Sequence, residues 1–459
     1  MKINTAGGVL SGPIFSTFLH QSIPWSLSML ASGSAAIVDG IFIGRYAGAL
    51  PLASVNIVMP VFSLLYGMGI MLASGGAAVT GDHMGRGNMR AASAMLLKTL
   101  ISVGLASLAF CLAAFIMREK LLAFLGADEV LLKDCAAYLG VLLLFFPVFP
   151  LCIALSYFVR MDQRPMLASM GLILCSVLNV ALDAWLIGAA RLGVYGAALA
   201  TGISYCVPCL LYASHFFSSR SSYILPGSLG KWSEMVKAAW NGSSECINET
   251  SAGIIIWLFN LILMERMGGL GVAAFTTVGY VIMLGGLLSY GFADSLVPIV
   301  SVNNGARHYE RTRRFLYSAA AMVFCLGLLM FLFLSFWPTT VTRFFLPGEQ
   351  GAQTIALSFL RAARWGLLFM GLNMVLASYF TGRLWAAKSF FVAFCRSLAL
   401  PLLLLWLLPS KLGEDGIFYV SSVAESATFL LAGGIFLLTI RNDASRNSNL
   451  RRNPENSGA

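Results

Sequence analysis

Residues 23–45 read IPWSLSMLASGSAAIVDGIFIGR. The stretch is almost wholly apolar and exceeds the ~20 residues that a helix needs to cross a bilayer. Pro24 stands near its start and a single acid, Asp39, near its end. A carboxylate inside a membrane span costs roughly 2.5–3.5 kcal/mol to insert. A residue carrying that cost marks a functional site by default, and the remaining chain can be read as what surrounds and uses it.

The composition agrees with a membrane setting. Of 459 residues, 58% are hydrophobic and only 11% charged, and the mean hydropathy is +0.81. A soluble domain is closer to a quarter charged, so the chain is an integral membrane protein. The opening MKINTAGGVLSGP lacks the charged start, short apolar core and cleavage site of a secretory leader, so the first span is expected to direct insertion itself. The net charge of +10 comes from loop Lys and Arg. No basic stripe interleaved with aromatics is present, so no nucleic-acid partner is expected. The CVPC run at Cys206 and Cys209 lies in an apolar span and reads as packing rather than redox chemistry.

Hydropathy predicts twelve spans, near 15–44, 51–80, 92–117, 131–158, 166–188, 194–217, 235–264, 270–300, 315–337, 353–380, 387–408 and 416–440. Loops after even-numbered spans and the two termini hold 18 Lys and Arg, against 7 in loops after odd-numbered spans. The bias predicts cytoplasmic termini and a multi-pass protein of the plasma (inner) membrane. GALPLASVNIV at 48–58 overlays GGLGVAAFTTV at 268–278, an offset of 220 residues. Six-span halves repeated in parallel predict a two-lobed transporter. Its parts would be an N-terminal lobe 1–217, a cytoplasmic connector 218–234, a C-terminal lobe 235–440 and a cytoplasmic tail 441–459.

Polar residues inside the spans point to the chemistry. Asp39 is six residues from Arg45, Asp183 eight from Arg191, and Thr201 ten past Arg191. At about 1.5 Å rise per residue the three share one depth. Asn179 lies one turn from Asp183 on the same face, and Tyr138 falls at comparable depth in span 4. These oxygen donors suit a proton shared by two carboxyls or a hard cation such as Na⁺ at Asp39, Asn179, Asp183 and Thr201. No other metal or cofactor is expected. The second half carries Glu249 mid-span in span 7, Asp294 in span 8 and Glu425 in span 12. With no positive partner evident at matching depth, these acids would favour a cationic substrate. Apolar flat cations would also suit some of the abundant aromatics and methionines.

Several stretches together resemble one family. IVDGIFIGR (37–45), GRGN (85–88), LSYFVRMD (155–162), LNVALDAWLI (178–187), GAALATGIS (196–204), ECINETSAGI (245–254), GVAAFTTVGY (271–280) and YGFADSLVPIVSVNNGA (290–306) are similar, in this order, to the multidrug and toxic compound extrusion (MATE) family, with a DinF-like branch the nearest likeness. The resemblance implies an all-α membrane fold of twelve helices in two six-helix lobes, exporting organic cations in exchange for H⁺ or Na⁺. It matches Asp39, Asn179, Asp183 and Thr201 to the family's first-lobe cation site, Glu249 to its acid on helix 7, and Pro24 to the proline at which the first helix bends. Three residues depart from the pattern. Tyr157 replaces a usual Asn, Gln163 a usual Gly, and Asp294 a neutral polar residue. Asp294 could add a proton site or a counter-charge for the drug.

The expected protein is therefore a secondary antiporter for amphipathic, mostly cationic small molecules, monomeric in the bilayer. The alternative within the same superfamily is a flippase for lipid-linked sugars, which would want a more basic cavity for pyrophosphate. An intramembrane enzyme is not expected. All four histidines lie near or beyond the ends of predicted spans, and paired DDxxD motifs are absent.

Overall fold

The computed structural model describes residues 7–452, and every regular element among them is helical. Lys2, used above for the orientation, and residues 453–459 of the tail lie outside the described residues. Among the described residues nine helices are long and apolar enough to cross a bilayer. Two more spans are bent helix pairs, Glu129–Phe145 with Val148–Met161 at 41° and Gln350–Ala363 with Leu367–Gly382 at 51°. Pro147 stands at the first bend, where it removes a backbone donor and crowds the preceding turn.

The twelfth span comes from dividing one helical stretch. Ser233–Gly305 is 73 residues long, on the order of 110 Å at 1.5 Å per residue, several times the thickness of a hydrocarbon core. It breaks at Gly268, with φ 63° and ψ −160°, a backbone state open to a residue without Cβ. Phe259 and Phe275 then stack with centroids 4.8 Å apart on either side of the break, so the chain doubles back. Spans 1 to 3 are Ile14–Phe42, Ala49–Gly85 and Met89–Ile116, and span 4 is the first bent pair. Spans 5 and 6 are Pro165–Asp183 and Gly193–Phe216, and spans 7 and 8 flank Gly268. Spans 9 to 12 are Tyr309–Phe336, the second bent pair, Ala386–Leu412 and the helix from Asp415. The helix starts follow local chemistry. Asn88 and Asp128 cap spans 3 and 4 by accepting from the backbone N–H groups of Ala91 and Leu131, as N-cap residues do.

Buried apolar residues gather in separate bodies. One core, around Val58, Leu142 and Phe146, is built from the first six spans alone. Another, around Phe259, Phe359 and Phe418, is built from the last six alone. A third mixes both halves, joining Ile70, Ala77 and Tyr157 to Ala238, Val300 and Tyr379. Its members sit toward the end of the molecule where Arg86, Arg90, Arg307 and Arg311 lie. The halves are thus welded at the basic end and keep separate cores at the other.

The weld is close enough to require glycine. A methyl group added at Gly85 would strike the Val302 carbonyl, and one added at Gly305 would strike the Asp82 carbonyl. The two glycines stand 220 residues apart, the offset of the sequence repeat, so the contact is reciprocal. Gly75 against Ala238 and Gly242 against Met71 repeat the pattern between spans 2 and 7. Asn304 donates to Asp82 at 2.9 Å and Lys98 to Glu234 at 2.5 Å, closing the same end with polar contacts.

Candidate cation and substrate sites

The first site is assembled where two helices of the first half, spans 1 and 5, end in π turns. Span 1 carries Asp39 one turn before its helix widens into a π turn at Ile43–Ala47. Span 5 ends at Asp183, where a second π turn, Ala184–Ala189, begins. Such turns concentrate at functional sites. The Asp39 and Asp183 carboxyls meet within hydrogen-bond reach. Asp39 Oδ1 and both Asp183 oxygens are buried without a donor among the described residues. Two bare carboxylates in contact would repel, and each would lack the partner that burial demands. A shared proton or a small cation removes both difficulties.

Asp39, Asn179, Thr201 and Tyr138 line one cavity of about 180 Å³, with Ser176 and Ser204 on its wall. Asp183 is fully buried and meets this cavity through Asp39. All five residues expected at the coupling site are therefore neighbours. Ligand sites usually begin at about 300 Å³, so the space fits an ion with water better than a drug. Pro24 lies inside the unbroken helix Ile14–Phe42, fifteen residues before Asp39.

A second cavity of about 350 Å³ lies between the halves. Tyr66 and Met29 reach it from the first half, and Glu245, Asn248, Glu249, Tyr290 and Arg396 from the second. Tyr290 donates to Glu245 at 3.1 Å. Glu249 has no hydrogen-bond partner among the described residues, which leaves its carboxyl to the cavity. Met283, Met370 and Met374 supply the adaptable apolar wall.

Glu425 and Asp294 do not line this cavity. No positive partner is evident for either in the sequence, yet each has one. Glu425 accepts from Arg396 Nε at 2.9 Å and from Asn373 at 2.7 Å. Arg396 is a mid-span arginine within a third π turn, Cys395–Ala399. Asp294 pairs with Arg160 at 2.6 Å. Arg160, counted above among the loop residues, stands in the last turn of span 4 with 1% of its surface exposed. Trp25 Nε1 donates to Asp294 at 2.9 Å and Tyr157 Oη at 3.0 Å. The Arg160 guanidinium also stacks 4.0 Å from the Trp25 ring. Two of the three departures from the family pattern, Tyr157 and Asp294, thus touch each other in a fully buried network between the halves. The third is also accounted for. Gln163 has φ 59°, the left-handed region where glycine is usual, and its side chain accepts from Gln21 at 3.0 Å.

Sequence reasoning missed Arg396, Glu245 and Tyr290 as cavity residues. Arg396 carried a usable signal, a lone arginine in an apolar span. The N-x-S/T tripeptides at Asn241 and Asn248 are engaged inside the helix bundle, and the CVPC cysteines form no bridge. Asn241 donates to the Thr381 carbonyl, Ser397 donates to Asn248, and all nine cysteines are free.

Comparison with known proteins gives a consistent result. A family model described as MatE matches residues 24–185 and 250–407. The multidrug export protein MepA of Staphylococcus aureus is 25% identical over 299 residues, covering 63% of this chain and 65% of that relative. The chain thus spans just under two thirds of the length of the curated relatives it matches. Among solved structures, an outward-facing multidrug resistance MATE transporter of the MOP superfamily superposes with a TM-score of 0.89 at 21% identity, over 96% of this chain and 99% of that one. The Vibrio cholerae MATE transporter VcmN gives 0.86 at 21% identity, over 94% and 97%. At that identity the likeness speaks for the fold, twelve helices in the arrangement described above.

Proposed function

The chain belongs to the MatE family, and on that premise we propose that it is a secondary antiporter exporting amphipathic, mostly cationic compounds in exchange for H⁺ or Na⁺. The observation carrying this reading is the Asp39–Asp183 contact, two carboxyls with three buried, donorless oxygens beside a small cavity that Asp39 lines. A proton or cation arriving there settles the repulsion, and one leaving restores it, so occupancy is coupled to the packing of spans 1 and 5. The second cavity supplies a place for the exported compound, with Glu249 as the counter-charge and methionines and tyrosines as the apolar surface. Rocking of the two halves about the glycine weld would expose that cavity to each side in turn. An entering charge contributes about 2.3 kcal/mol per 100 mV of membrane potential. The two lobes would divide at the 218–234 connector, and the basic end would face the cytoplasm. The acids of the second cavity favour this reading over a flippase for pyrophosphate-linked sugars.

The test is ethidium efflux from proteoliposomes under separately imposed proton and sodium gradients. Efflux driven by one gradient and abolished by Asp39→Asn is expected. Efflux that ignores both gradients would sink the antiporter reading.

A further inference from the structure

The second cavity carries a fixed cation as well as its acids. Arg396 lines it together with Glu245 and Glu249. Only its Nε is committed, to Glu425 at 2.9 and 3.2 Å. Its Nη1 and Nη2 have no partner among the described residues, and Glu425 does not share the cavity wall. Asn373 holds Glu425 from the other side at 2.7 Å, so the carboxylate fixes the guanidinium from behind while its fork is left to the cavity. Glu249 is likewise unpaired, and no ion pair joins it or Glu245 to Arg396 among the described residues. One cavity therefore offers an acceptor and a donor fork, of opposite charge, that do not neutralise each other.

A purely cationic guest would satisfy Glu249 and leave the Arg396 fork facing it, a like-charge contact. A purely anionic guest would face two acids. A guest with an ammonium and a carboxylate on one apolar body satisfies both, because a guanidinium fork matches a carboxylate in two parallel hydrogen bonds. We propose that the site prefers zwitterionic amphiphiles, with the ammonium on Glu249 and the carboxylate on Arg396. The cavity of about 350 Å³ limits the guest to the small end of drug-sized ligands. The inference rests on the export reading above and narrows its substrate class.

The probe set is Nε-dansyl-lysine, a fluorescent zwitterion, with its methyl ester as the cation and its Nα-acetyl derivative as the anion. Binding to the purified full-length protein is expected to rank the zwitterion above both, by roughly tenfold or more, the low end for a hydrogen bond to a charged group. Arg396→Ala combined with Glu425→Gln, which leaves no unpaired acid behind, should abolish the advantage over the ester while ester binding persists. Arg396→Lys should restore part of it, as a point charge without the fork. Wild-type protein that binds the ester as tightly as the zwitterion overturns the proposal, whatever the variants do. Proteoliposomes that bind the zwitterion but export none of the three would instead overturn the export reading and leave the site preference standing.

Discussion

Arg160 donates to Asp294 at 2.6 Å across the boundary between the two halves, and neither side chain touches solvent. Arg160 adds a second bond to the Asp294 carbonyl at 3.1 Å. A buried pair of this kind is weak evidence for stability, because desolvation offsets attraction, but breaking it from one side leaves a bare charge at about 3–5 kcal/mol. The expected outcome is sharply asymmetric. Asp294→Ala should lower the melting temperature in detergent markedly. Arg160→Met with Asp294→Leu should recover most of the loss. On the rocking proposed above this pair would part as the basic end opens, so the double variant should also spend more time open there. Cysteines placed beside the weld should then label faster than in the parent. Equal labelling with unchanged stability in both variants would show the pair to be incidental.

Trp25 and Tyr157 hold the same carboxylate in unequal ways. Each donates one hydrogen bond to a charged acceptor, a contact of about 1.5–3 kcal/mol. Trp25 also carries the guanidinium at 4.0 Å from its ring, against 5.2 Å for Tyr157, and indole is the better cation–π partner. Trp25→Phe should therefore destabilise more than Tyr157→Phe in thermal unfolding. The reverse order would mean that Tyr157 acts chiefly elsewhere, as a cavity wall or a packing residue.

The glycine weld makes a backbone prediction. At Gly85 and Gly305 the obstacle to a methyl group is the partner's main chain rather than a side chain able to swing away. Overpacking of a tight contact costs typically 1–3 kcal/mol. Gly85→Ala and Gly305→Ala should each loosen the closed basic end, read as faster labelling of a cysteine at Thr80, which is fully buried here. Because the two glycines serve one reciprocal contact, the double variant should fall short of the sum of the singles. Unchanged labelling in both would place the moving contact elsewhere.

What the sequence revealed and what it hid follow from contrast. Asp39, Asp183 and Glu249 stood out because a charge in an apolar run has no local excuse, and matched distances from Arg45 and Arg191 were enough to group the first two. Arg160 was hidden because it sits at a helix end, where arginines are ordinarily loop residues, and it is enclosed only when Trp25 of span 1 and Asp294 of span 8 come against it. Asp294 and Glu425 were visible as acids, but their cations come from spans 4 and 11, contacts at sequence separations of 134 and 29 residues that no local pattern encodes. The 220-residue offset pointed to two halves, yet the reciprocal Gly85–Gly305 contact depends on how the two segments meet.

The Asp39–Asp183 unit gives the last and most direct prediction. Asp183 is buried, Asp39 is partly so, and their carboxyls are in contact; three of the four oxygens are buried without a donor among the described residues, and Asn179, Thr201 and Tyr138 stand beside Asp39 on the cavity wall. If one proton or cation serves both, removal of either carboxylate destroys the unit and removal of the second adds little, as expected within one network. Asp39→Asn and Asp183→Asn should each abolish gradient-driven export, and the double variant should match either single. Insertion should survive, because neutralising a buried acid removes a cost of roughly 2.5–3.5 kcal/mol. The measurement is dye efflux from energised vesicles at matched protein levels. Additive, partial losses in the singles would show two independent sites, and normal coupled efflux in either single variant would remove that residue from the unit.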